Sequence, residues 1–139
     1  MDKGQPGGAR METFYFQAGE GRHRVEAIAV VNGADLVVTV GGGSVYHIGA
    51  VALAVPRPSL AEPGRTSASA SVICVSGHKE DELARTAALQ LAARFNRVVV
   101  VSVGLHVDDA SSLDIESLTA NFRLLVEDIA ARLSATGVT

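Results

Sequence analysis

The sequence predicts an α+β fold, an antiparallel sheet of about five to six strands with two helices, in the order ββββαβα. Three observations carry this. The first half of the chain is a series of short apolar runs separated by Gly, Asn and Pro. Between about Lys79 and Phe95 the hydrophobic period changes from that of a strand to that of a helix. A valine-rich run and a second helical stripe complete the chain, and strands gathered ahead of helices point to a layered α+β domain.

The elements follow in order. "MDKGQPGGARM" has no apolar run and reads as part of a disordered lead-in over residues 1–13, so a single domain is expected over 14–139, with order beginning near Phe14. "GRHRVEAIAVVNG" alternates like a half-buried strand and ends in the turn pair Asn32-Gly33. "ADLVVTVGGG" is a second strand, and a third runs from about Val45 to Val55. The links between these three are too short for crossover helices, which predicts an antiparallel meander. Pro56, Pro58, Pro63 and Gly64 make 56–66 a loop. "SASASVICV" follows as a strand with Ser67, Ser69 and Ser71 on one face and Ala68, Ala70, Val72 and Cys74 on the other.

Leu83, Ala87, Leu91 and Phe95 fall four apart and predict the first helix. "RVVVVSVGLHV" is apolar enough for a central strand covered on both faces. Ile115, Leu118, Phe122, Leu125, Ile129 and Leu133 predict a second helix over about 115–135, with Asp114 as its N-cap.

Composition narrows the function classes. The chain has 139 residues, 47% of them apolar and 19% charged, a balance that favours a packed core over disorder. A net charge of −3 and few aromatics argue against a nucleic-acid partner, which calls for a basic footprint. No stretch has the length of an apolar membrane span, so no membrane association is expected. The lone cysteine, Cys74, reads as a buried reduced thiol, and together these features predict a cytoplasmic protein.

Candidate chemistry is scattered. His47, His78 and His106 sit where strands meet loops, without metal-ligand spacing, and no metal site is expected. No GxSxG elbow or GxGxxG loop occurs, which removes the usual nucleophile and dinucleotide signatures. The junction "GHKEDE" places Gly77, His78 and Lys79 at a helix start, where free N–H groups suit an anion. Glu80, Asp81 and Glu82 answer the same dipole, so plain capping competes with an anion site there. Arg57 and Arg65 flank the proline loop beside the serine row. That set suits a phosphate or a planar ligand, and equally a solvated edge strand.

"YHIGAVALAVPRPSL", "GRTSASASVICVSGHKEDELAR" and "VVVVSVGLHVDDAS" together resemble the LpdD-like family over about residues 20–135. The resemblance implies a proteasome-assembly-chaperone-like fold and a non-catalytic chaperone of prenylated flavin mononucleotide (prenylated FMN, or FMN itself). Its partner would be a UbiD-type, gallate-type decarboxylase, to which it delivers the flavin or for which it protects it. With that ligand in view, His47, Arg57, Arg65, Ser67, Ser69, Gly77, His78, Lys79 and His106 are the candidate cofactor-binding residues, with Arg65 expected on the phosphate. The alternative is a protein-interaction or assembly chaperone that works through its sheet edge or C-terminal helix without a cofactor. A homodimer is expected, since a sheet with one open face tends to be buried symmetrically.

Overall fold

The structure, a computed structural model, describes residues 10–75 and 80–137. Its elements are β1 (Met11–Ala18), a single 3-10 turn (Gly21–His23), β2 (Val25–Asn32), β3 (Asp35–Gly43), β4 (Ala50–Pro58), β5 (Thr66–Cys74), α1 (Asp81–Phe95), β6 (Val99–His106) and α2 (Ser112–Ala135). The α+β class holds, with six strands in the order β1-β2-β3-β6-β4-β5 and two helices.

The differences have physical reasons. β1 begins at Met11, so residues 11–13, expected in the lead-in, pair instead with Asn32, Val31 and Val30 of β2. The sheet is mixed rather than purely antiparallel, because β3 and β6 run parallel from Leu36↔Val99 to Gly43↔His106. The expected meander stops after β3. The valine-rich β6 takes the centre of the sheet, and β4 pairs with β6 and β5 rather than with β3. The link over 44–49 steps across the end of β6. β3 ends and β4 begins at the same edge of the sheet, so six residues reach across two strand spacings of roughly 5 Å each without a crossover helix.

Both helices cover one face. α1 lies on β4, β5 and β6, while α2 lies on β1 and β2. Ala84, Ala87, Ala88 and Ala92 face the sheet from α1, and such small side chains let helix and strands approach closely. α1 ends at Asn96, whose left-handed φ of 53° makes it a helix-terminating residue. From α2 the buried stripe is Leu118, Phe122, Leu125, Val126, Ile129, Ala130 and Leu133; Ile115 is exposed. α2 starts earlier than its apolar stripe. Ser111 is the N-cap, and Asp114, expected in that role, is the third helical residue and completes a capping box with it.

Among the described residues no helix covers the opposite face of the sheet. β6 is central but covered by helices on its Val99, Val101 and Val103 side, with Val100 and Ser102 half-buried on the other. Ile28, Val37, Leu53, Val55 and Ile73 stand exposed along this open face. Cys74 is also exposed, at the end of the edge strand β5, and not in the core as expected. Desolvation and the carboxylates of Asp81 and Glu80 push its thiol pKa up, which keeps it protonated.

Candidate functional site

The site is built on two glycines. Gly41 of β3 and Gly104 of β6 are register partners, and their missing side chains leave a saddle on the open face. The 44–49 segment lies down on it. A Cβ on Gly104 would stand 1.7 Å from the His47 carbonyl oxygen, and one on Gly41 would stand 2.7 Å from the Tyr46 ring. Hydrogen bonds from Ser44 N to His106 O (2.8 Å) and from Gly49 N to Val103 O (2.8 Å) pin the segment to β6.

This crossing delivers Tyr46 and His47 to the open face, where both line a hollow of about 220 Å³ with Tyr15, Glu26, Ile28 and Thr39. The Tyr15 and Tyr46 hydroxyls, the only two tyrosines in the chain, close on the two carboxylate oxygens of Glu26. Arg24 donates from Nη2 to the Tyr15 oxygen (3.0 Å) and to Glu26 Oε1 (3.2 Å). Hydrogen bonds from Tyr15 and Tyr46, with the Arg24 charge, hold the Glu26 carboxyl below its usual pKa. Burial and the bond to Glu26 push the Tyr46 phenol up to about 12. At neutral pH the corner therefore holds a Glu26 carboxylate against a protonated Tyr46 phenol.

Behind the crossing sits a second set. His47 Nε2 lies 3.2 Å from Glu80 Oε1, and Glu80 is buried at the start of α1. Glu80 is the helix N-cap residue, yet its side chain makes no cap hydrogen bond; it turns to His47 and to the Leu105 N–H at 3.4 Å. Gly49 leaves it room, since a Cβ there would meet the carboxylate at 2.4 Å. The His47 and His106 rings meet edge to face with centroids 6.1 Å apart, and His106 Nε2 lies 2.8 Å from Asp108 Oδ1. Among the described residues no group of three or more His, Cys, Asp or Glu is placed to hold a metal ion, and no helix is long and apolar enough to cross a membrane.

Of the residues singled out from sequence, His47 and His106 are thus brought together. Gly77, His78 and Lys79 lie outside the described residues. Arg57, Arg65, Ser67 and Ser69 stand at the other end of the sheet. Seven residue rises along β4, about 23 Å in extended chain, separate Ala50 from Arg57. There Arg57 Nε donates to Ser69 Oγ (2.7 Å), Ser67 is its register partner, and Arg65 pairs with Glu62 (3.0 Å) beside a hollow of about 340 Å³. Among the described residues, the His47–His106 pair and the Arg57–Ser69 set stand at opposite ends of β4. Tyr15, Arg24, Glu26 and Tyr46 were missed in sequence. Their one signal is a charged residue and the chain's only tyrosines inside otherwise apolar strands and turns.

Residues 19–134 match the family model of the prenylated flavin chaperone LpdD-like domain. Among solved structures, a chain of a novel chaperone complex for yeast 20S proteasome assembly is similar at 11% identity and a TM-score of 0.47, covering 86% of this chain and 98% of that one. No curated protein matches.

Proposed function

This chain belongs to the prenylated flavin chaperone LpdD-like family, and from that premise we propose that it binds prenylated FMN without transforming it and passes it to a UbiD-type decarboxylase. The observation that carries this reading is the meeting of His47, His106 and the Tyr15–Glu26–Tyr46 corner on one apolar sheet face. A flavin offers a flat apolar tricycle, a polar pyrimidine edge and a phosphate. The exposed Ile28 and Val37 suit the tricycle. His47 and His106 suit the phosphate, and Gly77, His78 and Lys79, next to Glu80 in the chain, add donors of the kind a helix start offers an anion. Arg57, Arg65, Ser67 and Ser69 belong to a separate polar end of the sheet and take no part in the same ligand.

The working unit is a cytoplasmic homodimer.

The test is to purify the protein from cells making prenylated flavin and record its absorption spectrum and its content of bound phosphate. A flavin spectrum with one phosphate per ligand is expected, together with activation of a flavin-free UbiD-type decarboxylase on mixing. His47→Ala should weaken flavin binding and Arg57→Ala should not. The reverse pattern would move the site to the far end of the sheet.

A second reading is favoured by the exposed Leu53, Val55 and Ile73 beside the edge strand β5. On that reading the protein is an assembly chaperone that holds a partner subunit and no cofactor. A colourless protein that forms a stoichiometric complex with the decarboxylase would select it.

A further inference from the structure

The two outer strands of the sheet are finished differently. At β1 the Gly33 N–H bonds to the Arg10 carbonyl (2.8 Å), so in register with β2 the even-numbered residues bond inward and Met11, Thr13, Tyr15 and Gln17 face outward. That edge is guarded. Arg132 of α2 reaches over it and donates to the Tyr15 carbonyl at 3.1 Å, with its guanidinium 4.3 Å from the centre of the Phe16 ring. Arg10 and Glu12 pair at the start of the same edge (3.1 Å). At β5 the Val75 N–H bonds to the Gly49 carbonyl and the Ser59 N–H to the Arg65 carbonyl, both at 2.8 Å, so the odd-numbered residues bond to β4. Thr66, Ala68, Ala70, Val72 and Cys74 turn their N–H and C=O groups to the free side, and no hydrogen bond among the described residues reaches them. β5 also carries no charged residue and no proline. Folded proteins blunt an open edge with charge, proline or a covering element, and a long edge with none of these is a template for pairing.

We propose that β5 is a docking edge that takes an extended, uncharged segment of a partner protein as a seventh strand of the sheet. Main-chain hydrogen bonds supply the affinity, and the row of side chains beside the incoming strand supplies the selectivity. On the open face that row is Ser67, Ser69, Ser71 and the exposed Ile73. The segment is therefore apolar opposite Ile73, where it continues the strip of Leu53 and Val55, and small or polar opposite the serines. A charged segment would lose hydration and find no opposite charge on β5. The β5 of a second copy fits less well. A two-fold axis at Ala70 sets Ile73 against Ser67, and the register that sets Ile73 against itself keeps only residues 72–74 of β5 in the pair. β6 and β4 separate this edge from β3 and the Tyr46–His47 corner, so the docking edge stands independently of flavin binding.

The experiment follows amide hydrogen exchange by NMR in the wild-type protein, alone and with excess of a capped peptide of Thr-Val repeats bearing a lysine at each end for solubility. Alone, the Ala68, Ala70 and Val72 N–H groups should exchange fast and those of Ser69 and Ser71 slowly. With the peptide, the three fast amides should slow by about tenfold or more, while Thr13 and Tyr15 of the guarded edge do not change. Ala70→Pro removes one outward N–H and no bond to β4, a change that an edge strand tolerates, and should weaken the peptide by at least about tenfold. Its folding is checked by circular dichroism. Ser71→Lys leaves the backbone whole and puts a charge on the edge; it should weaken the peptide too, which keeps the test decisive if the proline variant unfolds. A peptide that fails to bind, or that binds without slowing those amides, overturns the docking edge. So does equal binding by wild type and both variants. Slow exchange of the same amides in the protein alone, growing with its concentration, gives the edge to a second copy and overturns the foreign strand.

Discussion

Single residues here do work that their sequence positions conceal. Asp114 reads as a helix cap and is one in part, but its carboxylate also meets His23 Nε2 at 2.7 Å, the Ser111 N–H at 2.9 Å and Arg22 at 3.2 Å. The bonds to His23 and Ser111 lower its pKa from 3.8 to about 2. A carboxyl whose pKa is depressed on folding adds stability above its unfolded pKa and loses it as pH falls through the folded value. Asp114→Asn should therefore lower the melting temperature at neutral pH. The gap between variant and wild type should close between about pH 4 and pH 2, as thermal melts across that range would record. A gap that stays constant over the range would sink the assignment. Glu80 is a comparable case. In sequence it is one of three acids at a helix start; in the fold it is buried against His47. Tyr15, Glu26 and Tyr46 come from three elements, and no local pattern unites them. Only the pairing of β1 with β2 and the passage of the 44–49 segment over Gly41 bring them to one hollow.

At the scale of elements, periodicity revealed which segments are helices and strands, and register decided the rest. The stripes of α1 and α2 and the runs of β2, β3, β5 and β6 were legible because burial on one face imposes a period on the side chains. The place of β6 between β3 and β4 was not, since a six-residue link between antiparallel strands looks the same whether or not a third strand intervenes. The price of that insertion is the glycine saddle. Gly104→Ala would drive a methyl into the His47 carbonyl, a backbone atom held by its neighbours, whereas Gly41→Ala would press on the Tyr46 ring, a side chain able to rotate. Gly104→Ala should cost about 1–3 kcal/mol in chemical denaturation and Gly41→Ala less, with flavin affinity falling in both. An equal cost would argue that the crossing segment is loose on the sheet. At the start of α2, Ser111 accepts from the Asp114 N–H at 3.1 Å, and Ser111→Ala should cost about 1 kcal/mol by the same measurement without disturbing the Tyr46–His47 corner.

The whole molecule presents an imbalance. One face of the sheet is sealed by two helices, and the other leaves Leu53 at 41%, Val55 at 46% and Ile73 at 77% exposure on the β4–β5 half. A contiguous apolar strip of this kind marks an interaction surface rather than a solvated one. A second copy of the chain is the natural cover. Two sheets pack face to face at about 10 Å, and a two-fold axis would set each strip against itself. The strip lies away from the Tyr46–His47 corner, so a pair joined through β4 and β5 leaves both hollows at the rim. The expected solution mass is twice 14.4 kDa. Leu53→Lys places a charge in the middle of the strip and should yield a monomer by light scattering, because a buried unpaired ammonium is strongly disfavoured. Its FMN affinity should stay that of the wild-type protein, since the hollow is complete within one chain. If the lysine variant dissociates and loses the flavin as well, the ligand is held between subunits. A wild-type protein already at 14.4 kDa would overturn this pairing and, under the proposed function, leave the strip for a partner protein.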